Sequence, residues 1–486
     1  MKVVLIDPPT SFEQIYGDWD LSAVDTYCPP LGLLHLASFV REHGHDPYVV
    51  DVTARKWTRQ KAVEFVLSVS PDIVGLSAKT INVQNAVRMA NELRAKGFAG
   101  PIVLGGAHVT AVPAETFERF QVFDYGVIGE GEATFLELIE TLQHSRPVSN
   151  VRGLAWRSSP GEIVVNSPRP MIEDLDSLPL PAWDLLPDFP DAYPHSALET
   201  RRLPAASVIT SRGCPYQCTF CDTAIFGCRV RQHSAEYTLN MIRHLRRNYG
   251  VRDLMFLDDN FILNRKKLFT ICDAMIEERM DLSWYCMGHA GILTEDRLEK
   301  IHQAGCWFIE FGIESGSDRI LKLIKKNTTK AEVAEAVRRA REAGLKVKGN
   351  FIFGFPTETR ESLEETIEFA TTVGLSYFQQ NFLTIWPGCE LAAKPEEYGT
   401  VEKDWQKLAH QRVTFIPKGL TEADLIEASK RAFRRFYLRP RIIFEVLFYS
   451  LSSWRALRNA FTGFAVFLRT ILRKQPQTMI DSYPHA

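Results

Sequence analysis

The sequence predicts an α/β protein: a doubly wound parallel sheet, then a partial (β/α)6 barrel, then a helical C-terminal region. Three observations carry this reading. Short apolar runs alternate with helical stretches over residues 1–145, and six further strand-and-helix repeats run over residues 201–395. After residue 396 the strand punctuation fades and basic, apolar segments take over. Alternation of strand and helix gives parallel strands joined by crossover helices, and a chain of 486 residues is long enough for two or three separate cores.

In the first unit, Val3–Ile6, Pro47–Val52, Ile73–Ser77, Pro101–Leu104 and Tyr125–Ile128 read as buried strands. Leu31–Glu42, Arg59–Ser68, Val83–Lys96 and Thr134–Leu142 read as the helices between and after them. Ligands of such sheets sit beyond the carboxyl ends of the strands. Those ends carry Ser77, then Gly105-Gly106-Ala107-His108, then Gly129-Glu130-Gly131-Glu132. Glycine there lets backbone approach a bulky ligand, although tight turns alone would also use it. No GxGxxG opens the first helix, which disfavours a nicotinamide or flavin site. Prolines gather between Pro168 and Pro194, so residues 146–200 read as a semi-rigid connector pinned by Trp183 and Phe189.

In the second unit the strands are Ala205–Thr210, Asp253–Leu257, Leu282–Met287, Phe308–Ile313, Val347–Phe353 and Tyr377–Ile385. Chemistry in a (β/α) barrel gathers at the carboxyl ends of its strands. The first strand runs into Gly213-Cys214-Pro215-Tyr216-Gln217-Cys218-Thr219-Phe220-Cys221. Three thiols within one loop point to a metal centre rather than to incidental cysteines. Zinc sites pair two-residue spacings and close with a fourth ligand, and no such partner pair is visible. An iron–sulfur cluster takes four thiolates, so three leave one iron open to a ligand that is not protein.

These residues resemble the radical S-adenosylmethionine superfamily, whose CxxxCxxC loop, with an aromatic residue (here Phe220) before the last cysteine, binds a 4Fe-4S cluster. The resemblance implies that Cys214, Cys218 and Cys221 are its ligands and that S-adenosylmethionine chelates the open iron. It also implies that Asp258 or Asp259, after the second strand, receives the S-adenosylmethionine ammonium. Capping of the helix near Arg265 is the alternative use of these carboxylates. Glu314, on the same strand face as Glu310 and Gly312, is the candidate for the ribose hydroxyls, with Ser315 beside it. The turn at Gly354 resembles the adenine-contacting segment of the family. Pro387-Gly388-Cys389-Glu390-Leu391 is similar to the family's PGTxL turn with cysteine in place of threonine, and Cys389 reads as a buried thiol or a substrate-side hydrogen donor. Cys228 reads as structural.

The segments Pro29–Leu33, Gly105–Thr110 and Val127–Glu132 resemble the cobalamin-binding, Rossmann-like domain that precedes many enzymes of this superfamily. Cobalamin contacts are then expected at Ser77, Gly105, Gly106, His108, Gly129, Glu130 and Gly131. The DxHxxG loop is missing, which implies cobalamin held without a protein histidine on cobalt, and His108 is read as a polar pocket residue. The resemblance implies methylation of an unactivated carbon. The same two domains resemble the anaerobic magnesium-protoporphyrin monomethyl ester cyclase, in which no methyl is transferred, and a sensor without turnover is a further alternative.

Formal charge is nearly balanced at -2, which gives no electrostatic case for nucleic acid. Nine cysteines without a regular framework and a start that does not read as an export signal are expectations of a reducing, cytoplasmic setting. Arg431–Arg441 is basic and is followed by the apolar run Ile442–Leu451, with a second apolar run over Phe461–Leu472. Neither reaches the roughly 17–25 residues of a membrane span, but cationic and apolar residues together suit an anionic membrane surface. The expected partners are a small, hydrophobic substrate and an electron donor such as flavodoxin or ferredoxin. Residues beyond Thr400 are expected to be dispensable for the barrel.

Overall fold

Two parallel sheets organise the chain. A computed structural model describes residues 1–10, 14–15, 27–196 and 199–450, with side chains described to 445. Phe461–Leu472 lies outside the described residues. The first sheet contains β1 (Lys2–Asp7), β2 (Asp46–Asp51), β3 (Ile73–Ser77), β4 (Ile102–Gly105), β5 (Tyr125–Val127), β6 (Leu154–Ser159) and β7 (Glu162–Val165). Its order is β2-β1-β3-β4-β5-β6-β7. The first five pair in parallel, in a doubly wound order that reverses at β1/β3 and so opens a crevice for a ligand there. β6 and β7 extend the sheet antiparallel, within the stretch expected to be connector. The hairpin precedes the proline-dense part, so the sheet runs past residue 145 to Val165.

Helices flank the sheet because their apolar residues recur at three- and four-residue spacings. The helix Leu31–Glu42 buries Leu31, Leu34, Ala37, Ser38 and Val40 along one stripe. Trp183 from the connector is 1% exposed and stacks on His244 of the helix Ala235–Tyr249. Phe189 meets Tyr249 of the same helix edge to face. Both aromatic residues thus fasten the connector to the second unit.

The second sheet runs β15 (Tyr377–Phe382), β14 (Lys346–Phe353), β13 (Cys306–Glu314), β12 (Ser283–Gly288), β11 (Asp253–Phe256) and β8 (Ala205–Val208) in spatial order, all parallel. The order is sequential and the edge strands β8 and β15 do not pair, as in an incomplete barrel. Alternate residues face opposite sides. Leu254 and Phe256 enter the core shared with the helices, while Met255 joins Tyr285, Phe308 and partly buried Cys28 in a separate inner cluster. Two short antiparallel ribbons complete the strands: β9 (Ser211–Arg212) with β10 (Arg231–Gln232), and β16 (Gly399–Val401) with β17 (Phe415–Pro417).

The region after Thr400 is part of the core, against expectation. Trp405 and Leu408 are buried in the first unit's core, and Phe415 packs with Phe355, Leu383 and Ile385. The helix Glu422–Tyr437 buries Leu425, Ala428, Ala432 and Phe436 against the barrel. Cutting after Thr400 would expose several large apolar side chains, each contributing roughly 1.5–3 kcal/mol by its burial.

Candidate active site

The cysteine loop is fixed at its root by a buried carboxylate. Asp258, at the end of β11, accepts the Thr210 N–H at 3.0 Å, the Thr210 hydroxyl at 2.9 Å and the Ser211 hydroxyl. Lys267 donates to the Thr210 carbonyl at 3.0 Å. Burial raises the Asp258 carboxyl above its ordinary range, with Lys267 opposing, and burial lowers Lys267 to about 8. Asn264, not either aspartate, caps the helix Arg265–Glu277 by accepting the Lys267 N–H. Gly213 opens the loop at φ 86°, and a Cβ there would lie 2.4 Å from the Arg229 carbonyl oxygen. Only glycine fits both the left-handed backbone and the space.

Beyond Gly213 the loop is tied to two neighbours: Thr219 N–H donates to Ile324 O at 3.1 Å, and Leu391 N–H donates to Thr219 O at 3.0 Å. Phe220 packs on Phe355 with ring centroids 5.3 Å apart, and Tyr216 stacks on His289 at 4.0 Å. Burial pushes all three loop thiols up, Cys221 to about 12, and a coordinating metal deprotonates a thiol outright. Among the described residues no three His, Cys, Asp or Glu side chains converge on a single metal ion. A cluster ligated by one thiolate per iron requires no such convergence, and the donor set of three thiols on one rigid loop fits it.

Asp259, Glu314 and the loop share the mouth of the barrel. Asp259 is exposed, has no hydrogen bond or ion pair to a described residue, and raises the Cys221 and Cys214 thiols electrostatically. Glu314 follows a bulge in β13 at φ 69°, and its Oε1 takes Lys326 Nζ at 2.8 Å. Burial works to lower the Lys326 ammonium, but Glu314 and the Cys218 and Cys214 thiols outweigh it and hold the ammonium above its ordinary value. His289 Nε2 lies 3.2 Å from the Lys326 carbonyl, which links Tyr216 to the same corner. Lys326 and His289 were not among the sequence candidates: nothing in the spacing after Glu314 signals that the chain returns to the thiols.

Ser315 is fully buried, with its hydroxyl on Thr366 and on the Ser317 N–H, so it shapes the turn rather than facing the mouth. Gly354 has φ 98° and gives its N–H to buried Glu358, whose carboxyl burial raises to about 8. Cys389 is buried and Cys228 exposed.

At the first sheet, Ser77 and Gly105 are register neighbours at the ends of β3 and β4. A Cβ on Gly129 would meet nothing within 4 Å, and one on Gly105 only a carbonyl at 4.0 Å. Gly106, by contrast, at φ 98° leaves no room beside Ala78 O. Gly131 begins the helix Gly131–Gln143. Open space over small strand-end residues fits a bulky planar group. Two expected contacts are elsewhere. His108 is completely buried, with Nδ1 3.2 Å from the Thr80 hydroxyl and its ring against Trp405 at 4.3 Å, and burial lowers it to about 4. Glu130 turns away from the strand ends to Arg212 and Arg231 of the second unit, at 2.6 and 2.7 Å.

Comparisons with known proteins agree with this division. Residues 208–370 match the model of the Radical SAM superfamily and residues 20–139 that of the B12 binding domain. An uncharacterised methyltransferase of Pyrococcus horikoshii is 34% identical over 92% of this chain and 95% of its own length. The anaerobic magnesium-protoporphyrin IX monomethyl ester cyclase of Cereibacter sphaeroides is 26% identical over 91% of this chain and 71% of its own. Among solved structures, the cobalamin-dependent S-adenosylmethionine radical enzyme OxsB matches with TM-score 0.73 at 18% identity, over 97% of this chain and 72% of its own. TsrM of Kitasatospora setae matches with TM-score 0.67 at 20% identity, over 82% and 76%.

Proposed function

The chain belongs to the radical S-adenosylmethionine enzymes that carry a cobalamin-binding domain, and we propose that it methylates an unactivated carbon of a small molecule. The observation that carries the reading is the meeting, at one barrel mouth, of three loop thiols, a carboxylate without a hydrogen-bond or ion-pair partner among the described residues (Asp259) and the Glu314–Lys326 pair. Bound together, the cluster, S-adenosylmethionine and cobalamin supply a hydrogen-abstracting organic radical and a transferable methyl group.

The chain's own residues bind and orient. Cys214, Cys218 and Cys221 would hold the cluster. Asp259 would receive the S-adenosylmethionine ammonium and Lys326 its carboxylate, as charge-assisted hydrogen bonds in a partly dry site, leaving Glu314 for the ribose. Asp258 is committed to Thr210 and Ser211 and serves the loop instead. Ser77, Gly105 and Gly129 would face cobalamin, with no histidine on cobalt because His108 is closed off by Trp405. The substrate would occupy the barrel interior, whose wall includes Met255, Tyr285 and Phe308 and whose charged row sets Lys348 between Glu199 at 2.5 Å and Glu310 at 3.4 Å. Apolar walls support a substrate with a hydrophobic body.

An electron donor such as flavodoxin or ferredoxin would reduce the cluster. Exposed Leu438, Ile443 and Phe444 beside exposed Arg441 support peripheral contact with an anionic membrane. No helix of the described residues is long and apolar enough to cross one. Ring formation without methyl transfer is the second reading, supported by the cyclase relative.

Product counting tests the proposal. Equal yields of 5'-deoxyadenosine and S-adenosylhomocysteine are expected, and nucleoside without homocysteine would favour the cyclase reading. Replacing all three loop cysteines by alanine should remove the iron and all S-adenosylmethionine cleavage, and retention of both would sink the site.

A further inference from the structure

Two arginines face each other across the ribbon that closes the cysteine loop. Arg212 on β9 and Arg231 on β10 are register partners, and like charges placed opposite each other destabilise a strand pair. Their side chains are 9% and 3% exposed, so water does little to screen them. Arg231 also leaves Nε and Nη2 buried without a hydrogen-bond partner among the described residues. Their ion-pair partners among the described residues come from the first unit. Glu130 divides its carboxylate, with Oε1 at 2.6 Å from Arg212 and Oε2 at 2.7 Å from Arg231. Glu132 takes the second Arg212 nitrogen at 2.5 Å. The Ile172 N–H donates to Glu130 Oε2 at 2.8 Å, and Arg231 donates to the Ile172 carbonyl at 2.8 Å, so the connector closes the same knot.

The four charges cancel. Removing one partner of such a buried set strands the remaining charge, which costs far more than the set contributes when intact. Without Glu130, Arg231 would lose its ion-pair partner among the described residues and would face Arg212 with only Glu132 left to offset the two cations, on the ribbon that brings the chain back after Cys221. Glu130 itself lies between Gly129 and Gly131, in the strand-end turn whose Gly129 borders open space. Its backbone thus belongs to one cofactor region while its carboxylate serves the other.

We propose that Glu130 links the two cofactor sites energetically. Cobalamin over the Gly129–Gly131 turn fixes that turn, holds the carboxylate between the two arginines and keeps the β9–β10 ribbon closed behind the cysteine loop. By reciprocity the closed ribbon tightens cobalamin binding by the same factor. The linkage rests on the assignment above of the cluster to the loop and of cobalamin to the strand ends.

The test is iron release from full-length reconstituted protein to a chelator, with and without saturating hydroxocobalamin. In the unaltered protein hydroxocobalamin should slow release about tenfold, a coupling in affinity of the usual size falling on the off-rate, where most affinity differences lie. In Glu130→Gln release should be fast and indifferent to hydroxocobalamin, although hydroxocobalamin still binds. Adding Arg231→Gln to Glu130→Gln removes one of the facing cations and should restore slow basal release without restoring the response, which separates lost linkage from misfolding. Release that ignores hydroxocobalamin in the unaltered protein, or a full response in Glu130→Gln, overturns the linkage while leaving both sites assigned. Protein that takes up no iron or no hydroxocobalamin overturns the assignment, and the linkage with it.

Discussion

Nζ of Lys326 lies 2.8 Å from Oε1 of Glu314, with side chains 12% and 9% exposed at the mouth of the barrel. A lysine this close to both Glu314 and the loop thiols is suited to an anionic group arriving between them. Lys326→Met should weaken S-adenosylmethionine binding about 10- to 100-fold, the value of a charged hydrogen bond of roughly 1.5–3 kcal/mol. Calorimetric titration of cluster-loaded protein measures it. Unchanged affinity with unchanged iron would remove Lys326 from the site.

Asp258 and Asp259 are adjacent in sequence and should separate cleanly in experiment. Asp258→Ala removes the Oδ1 acceptor that the Thr210 and Ser211 donors share, costing about 1–3 kcal/mol, and should lower the melting temperature and loosen iron. Asp259→Asn should change stability by no more than about 0.5 kcal/mol yet weaken S-adenosylmethionine binding. Melting curves and titrations of the two variants would reverse the assignment if the effects were exchanged.

Buried histidines make the chain sensitive to acid. Burial lowers His35, His108 and His195 to about 4 and His233 to about 3. A base whose folded value lies below its unfolded one stabilises the fold fully above about pH 6.5, and that stability is lost as pH falls toward the folded value. Each contributes a slope of up to about 1.4 kcal/mol per pH unit in that window. His108→Ala should make urea-unfolding midpoints less dependent on pH between 6.5 and 4, while leaving the absorption spectrum of bound hydroxocobalamin unshifted. A shifted spectrum would make His108 a cobalt ligand after all.

Membrane contact, if the exposed Leu438, Ile443 and Phe444 provide it, should not require the core. Truncation after Thr400 would remove Trp405, Phe415 and Phe436, all buried, and should yield insoluble protein. Replacing Leu438, Ile443 and Phe444 by serine should keep the cluster and cobalamin but abolish sedimentation with anionic vesicles. Absence of vesicle binding by the unaltered full-length protein would make the C-terminal helices a barrel cap.

Local chemistry was legible in the sequence wherever it is written within a few residues. The loop Cys214–Cys221, the strand and helix alternation, and glycines such as Gly213 and Gly129 all follow from spacing and backbone freedom, which short segments carry by themselves. Long-range pairing was not legible. Glu130 reads as one more residue of a glycine turn until the fold brings Arg212 and Arg231 to it from 82 and 101 residues away. Nor does the sequence separate Asp258 from Asp259, since adjacent side chains point apart and only the packed neighbours decide which is committed to Thr210. The core role of residues 402–437 was hidden for the same reason: amphipathic helices advertise an apolar face, but not the surface it will cover. The sequence by itself determined the alternating fold and a metal-binding thiol loop, and through its family resemblance it implied the cofactors. The tertiary structure decided which charges meet, because the partners of a buried charge are selected by folding and not by position along the chain.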